Sequence, residues 1–152
     1  MAKDFLVKTF STFFFVGYLP LAPGSMASLL GVGLSYVLSQ HIVGYVCAFL
    51  FFIIGGFFVC GRMEELQHKK DPSCVVLDEV VGTMIAFFLL PFYPAVIITA
   101  FFVFRAFDMF KIYPTDQLEK WKGGWGIVAD DIMAGVYTNL VMHAALRLKL
   151  LF

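Results

Sequence analysis

The 152-residue sequence predicts an all-α fold: a single domain over residues 1–152, a polytopic helical membrane protein of about five helices with its chemistry at the cytoplasmic helix ends. Three observations predict it. Hydrophobic residues make up 61% and charged residues only 14%, whereas an ordinary soluble domain is about 45–50% apolar and about 25% charged. Long apolar runs recur between breakers, and the run at 42–60 approaches the about 20 residues a bilayer core requires. The charges gather at the ends of these runs. Disorder is excluded by the same composition, and the balance of 11 basic against 11 acidic residues removes the electrostatic footprint of a nucleic-acid binder.

Each helix has a start and a stop. The first is expected over 25–38, after Pro23-Gly24 and before the polar Ser39-Gln40-His41, and the second over 42–60, closed by the charges from Arg62 to Asp71. The third, 75–90, stops at Pro91-Phe92-Tyr93-Pro94, and the fourth covers 95–110. At about 1.5 Å per residue each of these two is about 24 Å long, enough to cross only a thinned bilayer or with polar ends in the interface. The fifth is expected over 127–146. Lys3 and Lys8 before the apolar residues 13–16 imitate a secretory signal, but Ala22 is followed by Pro23, a poor cleavage context, so the N-terminus is expected to be retained. Cys47, Cys60 and Cys74 lack C-x-x-C spacing and read as apolar fillers.

Charge placement supplies an orientation. Lys3 and Lys8, then Arg62, Lys69 and Lys70, then Arg105, Lys111, Lys120 and Lys122 all fall on one side of the helices, while the turns 39–41 and 91–94 carry neither Lys nor Arg. The positive-inside rule puts the basic side in the cytoplasm. Arg147 and Lys149 do not fit, which leaves the last helix either crossing to the outside or lying partly along the interface.

On the cytoplasmic side four motifs converge: Pro23-Gly24-Ser25, Asp78-Glu79, Arg105-x-x-Asp108-x-x-Lys111 and Asp130-Asp131. Acids at helix starts and bases at helix ends suit the helix dipole, but that does not account for seven ionisable groups in or beside apolar helices, where burial costs several kcal/mol unless they are paired or bind an ion. Five carboxylates facing two bases repel one another unless protonated or bridged by a hard cation, and magnesium takes carboxylate oxygens together with substrate phosphates. Arg105 can grip a phosphate bidentately and Lys111 can act as a point charge. Pro23-Gly24-Ser25 offers backbone N–H groups at a helix start, and Gly123-Gly124-x-Gly126 is similarly permissive. Gly82 and Gly135, each four residues after an acid, let helices pack closely beneath the cluster. Asp4, Glu64, Glu65, Asp116 and Glu119 read as solvated loop charge, and Asp71 before Pro72 as a turn former. His41, His68 and His143 lack ligand spacing, and no G-x-S-x-G or Cys-based nucleophile motif is present.

At these residues the sequence resembles the phosphatidylglycerophosphatase A family. The resemblance is carried by segments 21–29, 75–82, 104–111 and 123–135, and runs from about residue 17 to 140. Ile112 follows Lys111 where the family has Pro, Ser25 stands in the usual Thr place, and Ala27 precedes Ser28. The resemblance implies an all-helical enzyme of the bacterial cytoplasmic membrane, its active site facing the cytoplasm, that removes the terminal phosphate of phosphatidylglycerophosphate with Mg2+ to give phosphatidylglycerol. On that basis Asp78, Glu79, Asp130 and Asp131 are expected to hold one or two magnesium ions. Arg105 and Lys111 would neutralise the phosphate, Asp108 would orient one of these bases or accept a proton, and Gly24 and Ser25 would offer backbone donors. Water attack and an aspartyl-phosphate intermediate both stay open.

Two other readings compete. A CDP-alcohol phosphotransferase would also place acids and magnesium at a membrane face, but its D-G-x-x-A-R signature is not found. A small ion or proton transporter would place its carboxylates near the bilayer middle rather than near helix ends.

Overall fold

The computed structural model describes residues 2–70, 72–113, 117, 121 and 123–149. Among them the chain forms α1 (Ala2–Ser11), a 3-10 turn (Val16–Tyr18), α2 (Pro23–Leu38), α3 (Ile42–Gln67), α4 (Leu77–Ala86), α5 (Pro94–Phe110) and α6 (Gly124–Arg147), with no strand. The all-helical class is as expected, with six α-helices among the described residues rather than five. One of them, α3, is long and apolar enough to cross a bilayer; α2 is a shorter apolar helix.

The short helix α4 is the hub. It packs against α2, α3, α5 and α6, and all its residues except Glu79 and Ile85 are buried. Two small residues permit the closest of these contacts. A Cβ at Gly82 would lie 2.6 Å from the main-chain oxygen of Asp131, and one at Gly135 would strike the carbonyl oxygen of Gly82. The backbones of α4 and α6 therefore touch at a level that also carries Asp131. On either side of this crossing lie two apolar clusters. One is built on Phe87, Val96, Ala100, Phe104, Ala134 and Met142, the other on Cys60, Met63, Leu77, Val81 and Val128.

Several boundaries differ from the sequence expectation, each for a physical reason. Helix α3 runs on to Gln67, past the charges expected to end it. Met63, Glu64, Glu65, Leu66 and Gln67 are helix formers, Arg62 pairs with Glu65 at 2.6 Å, and the helix stops at His68 with φ of 50°. Helix α4 ends at Ala86 rather than at residue 90, because the Asn139 amide of α6 donates to the carbonyls of Ala86 (3.1 Å) and Phe88 (2.8 Å), replacing the next turn of helix as their partner. Helix α6 begins at Gly124, inside the stretch read as a glycine loop. There a Cβ at 124 would collide with the Phe57 carbonyl of α3. As a result Asp130 and Asp131 lie beyond its first turn, which holds no acid, and the dipole at a helix start does not explain them. Helix α1 was not expected at all. Asp71, Asp116, Glu119, Lys120 and Lys122 lie outside the described residues.

Candidate metal and phosphate site

Four helices bring their polar residues to one place. The first turn of α4 supplies Asp78 and Glu79, and the second turn of α6 supplies Asp131, carried inward by the Gly82 crossing. Ligand oxygens of Asp78, Glu79 and Asp131 all lie within 4.8 Å of one another. Asp78 is 6% exposed and Asp131 3%. The Oε2 atom of Glu79 and the Oδ1 atom of Asp131 are fully enclosed and accept no hydrogen bond, and Oδ1 of Asp78 is enclosed with them. Three carboxyl groups in so small a space repel as anions, and burial disfavours their charge further, so the arrangement calls for a cation or for protons. An all-oxygen donor set suits a hard divalent ion such as magnesium.

The phosphate-binding candidates form the rim. The last turns of α5 carry Arg105 and Asp108, three residues apart on one face, and Arg105 Nη1 meets Asp108 Oδ2 at 2.6 Å. The first turn of α2 lies against both Arg105 and the acids: a Cβ at Gly24 would fall on Glu79 Oε1 and 3.5 Å from Arg105 Nη1. Ser25 is half-buried in the same turn. Lys111 adopts a left-handed conformation at the end of α5, φ 46°, and its Nζ donates to Asp130 Oδ2 at 3.1 Å. The other oxygen of Asp130 accepts the N–H of Asp131 at 3.0 Å.

The structure therefore sorts the seven expected ionisable residues into three groups. Asp78, Glu79 and Asp131 form the buried acidic cluster, Arg105 and Asp108 form one ion pair, and Lys111 and Asp130 form another. Asp130, expected beside Asp131 as a ligand, is turned to Lys111 instead, since neighbours on a helix point about 100° apart. One residue without an assigned role joins the site. Ser28 is fully buried, its hydroxyl donates to Gly24 O at 2.9 Å, and it accepts from Arg105 Nη1 at 3.4 Å. The signal for it was its position one helical turn after Gly24.

Comparison with known proteins bears on the same residues. The family model for phosphatidylglycerophosphatase A matches residues 9–146, a span containing every residue of the site. The chain belongs to the phosphatidylglycerophosphatase A family. It is therefore a phosphatase, a phosphoric monoester hydrolase. Among relatives, a Bacteroides thetaiotaomicron protein named "Putative phosphatidylinositol-3-phosphatase" is 33% identical over 93% of this chain and 94% of its own length. Phosphatidylglycerophosphatase A of Haemophilus influenzae is 33% identical over 84% of this chain and 81% of its own. The Escherichia coli protein of the same name is 29% identical over 84% and 76%. No solved structure matches the chain.

Proposed function

We propose that this phosphatidylglycerophosphatase A family member hydrolyses the terminal phosphomonoester of phosphatidylglycerophosphate with magnesium, giving phosphatidylglycerol and phosphate, at a site facing the cytoplasm of a bacterial inner membrane. The observation that carries the reading is the acidic cluster of Asp78, Glu79 and Asp131, its oxygens within 4.8 Å, set beside Arg105 and the start of α2. Those three residues would hold the magnesium, with Asp130 kept on Lys111. Bound there, magnesium supplies a Lewis acid for phosphoryl oxygens and lowers the pKa of water.

The chain's own groups do the rest. Nη1 of Arg105 is held by Asp108 and Ser28, which leaves the other N–H groups of the guanidinium to grip two phosphate oxygens. Lys111 adds a point charge from the side of Asp130. The first-turn N–H groups of α2, at Gly24 and Ser25, point along the helix dipole toward an anion. Water attacks phosphorus, the bond from phosphorus to the glycerol oxygen breaks, and that oxygen leaves protonated as the free hydroxyl of the lipid. Charge spread over the phosphoryl oxygens in the transition state is met by fixed donors. The acyl chains stay in the bilayer, with α3 and the shorter helices α2, α5 and α6 as membrane-crossing elements.

A second headgroup is favoured by one finding, the name carried by the Bacteroides relative. Phosphate release from phosphatidylglycerophosphate and from phosphatidylinositol 3-phosphate, with magnesium and with chelator, tests both. Magnesium-dependent release from the first supports the proposal. Release from the second alone reassigns the headgroup, and release that survives chelation removes the metal.

A further inference from the structure

From the N-terminal segment we infer a re-entrant hairpin, residues 2–19, that enters the bilayer from the cytoplasmic side and turns back within it, its exposed side chains in contact with phospholipid. The inference rests on the membrane reading proposed above.

Three observations carry it. The first is direction. Asp4 lies 4.0 Å from Arg62 at the charged end of α3, whereas Phe10 meets Phe51 and Phe13 meets Phe52 at ring separations of 6.0 and 5.9 Å. Helix α1 thus runs antiparallel to the membrane-crossing helix. Taken along α3, from Arg62 to Phe52, the descent is about 15 Å at about 1.5 Å per residue, roughly half of a hydrocarbon core of about 30 Å.

The second is what the hairpin shows to its surroundings. Phe5, Leu6, Phe14, Phe15, Tyr18 and Leu19 are exposed, Phe14 at 61%. Lys3 is exposed in the first turn of α1, and Lys8 is exposed in its last turn, from which its long side chain can reach back toward the interface. Exposed apolar and aromatic groups along the hairpin, with Lys3 at its entry, suit a bilayer bearing anionic headgroups.

The third is the backbone of the reversal. Phe13, Phe14 and Phe15 all take left-handed conformations, with φ of 43°, 54° and 69°, a costly arrangement for residues other than glycine. Every N–H from Thr12 to Leu19 nevertheless finds an acceptor inside the hairpin, Phe15 through the buried hydroxyl of Thr12 at 3.1 Å. A turn exposed to water can leave such donors to solvent; a turn facing hydrocarbon cannot. A strained turn with every N–H paired suits non-helical backbone at membrane depth. Residues 20–22 then connect the hairpin to Pro23 and Gly24, and its 3-10 turn packs against α2.

Site-directed spin labelling tests this. Single cysteines replace Lys3, Phe14 and, on α3, Ile54, in the full chain with Cys47, Cys60 and Cys74 changed to Ala, reconstituted in vesicles of phosphatidylethanolamine and phosphatidylglycerol. The expected result is a ratio of oxygen to nickel-chelate accessibility at position 14 several-fold above that at position 3 and similar to that at position 54. A chelate-accessible label at 14 with a lipid-exposed label at 54 overturns the hairpin while leaving the membrane reading intact; chelate access at both overturns both. A label at 14 shielded from both reagents shows protein covering the face and also overturns the inference. Should the labelled chain fail to fold, Phe14→Trp in the otherwise native chain reads the same depth through quenching by lipids brominated in the acyl chain, and absence of quenching overturns the hairpin.

Discussion

Gly24 at the start of α2 sits so close to Glu79 in the first turn of α4 that a Cβ on residue 24 would fall on the carboxylate oxygen Oε1. The glycine is thus a spatial requirement of the acidic cluster as well as a turn former. Gly24→Ala is expected to displace the Glu79 carboxylate, the movable end of a side chain, rather than to unfold the protein. Activity should fall at least about tenfold, equivalent to about 1.4 kcal/mol in the barrier, and a higher magnesium concentration should be needed for half-maximal rate. Thermal unfolding in detergent should change little.

Gly82→Ala and Gly135→Ala act differently, because the obstructing atoms are main chain: Asp131 O for the first and Gly82 O for the second. Backbone cannot swing aside, so α4 and α6 must separate. Overpacking of this kind costs about 1–3 kcal/mol. Both variants should unfold at lower temperature, and both should lose activity as Asp131 moves away from Asp78 and Glu79.

Asp130 and Asp131 are adjacent in sequence and separate in role. Asp131→Asn should abolish magnesium-dependent turnover. Asp130→Asn removes the negative charge that Lys111 meets at 3.1 Å, while leaving the buried cluster intact, so measurable turnover with altered KM is expected at unchanged magnesium dependence. Metal titrations of the two variants side by side check this.

Arg105→Lys keeps the charge and loses the planar fork. With Asp108 and Ser28 holding one nitrogen, a lysine at 105 cannot both pair and grip phosphate. A loss of about 100-fold in kcat is expected, the order found when one fixed donor to a developing charge is removed. Steady-state kinetics on lipid phosphomonoester in mixed micelles measures it.

Much of this was legible in the sequence. The spacing placed Arg105 and Asp108 on neighbouring positions of one helix, though not which base Asp108 would meet, and breakers such as Pro94 and the polar turn before Ile42 announced helix limits. Less legible were features set by contacts distant along the chain. Helix α1 and the turn after it pack on α3 through Phe10 and Phe13, contacts that local composition does not reveal. Helix α4 stops early because of Asn139, more than fifty residues away. Glycines at 124 and 126, read as loop, lie inside α6, and at Gly124 the backbone of α3 comes so close that no Cβ fits. The division of five acids into a buried cluster and two partners of bases depends on helix rotation, which adjacency in sequence does not specify.

The most direct test of the account is phosphate release from phosphatidylglycerophosphate by the purified protein, assayed with magnesium and with chelator, alongside Asp78→Asn and Asp131→Asn variants shown to be folded. The expected result is magnesium-dependent release by the native chain and none by either variant. Full activity in either variant, or release that persists in chelator, would contradict it.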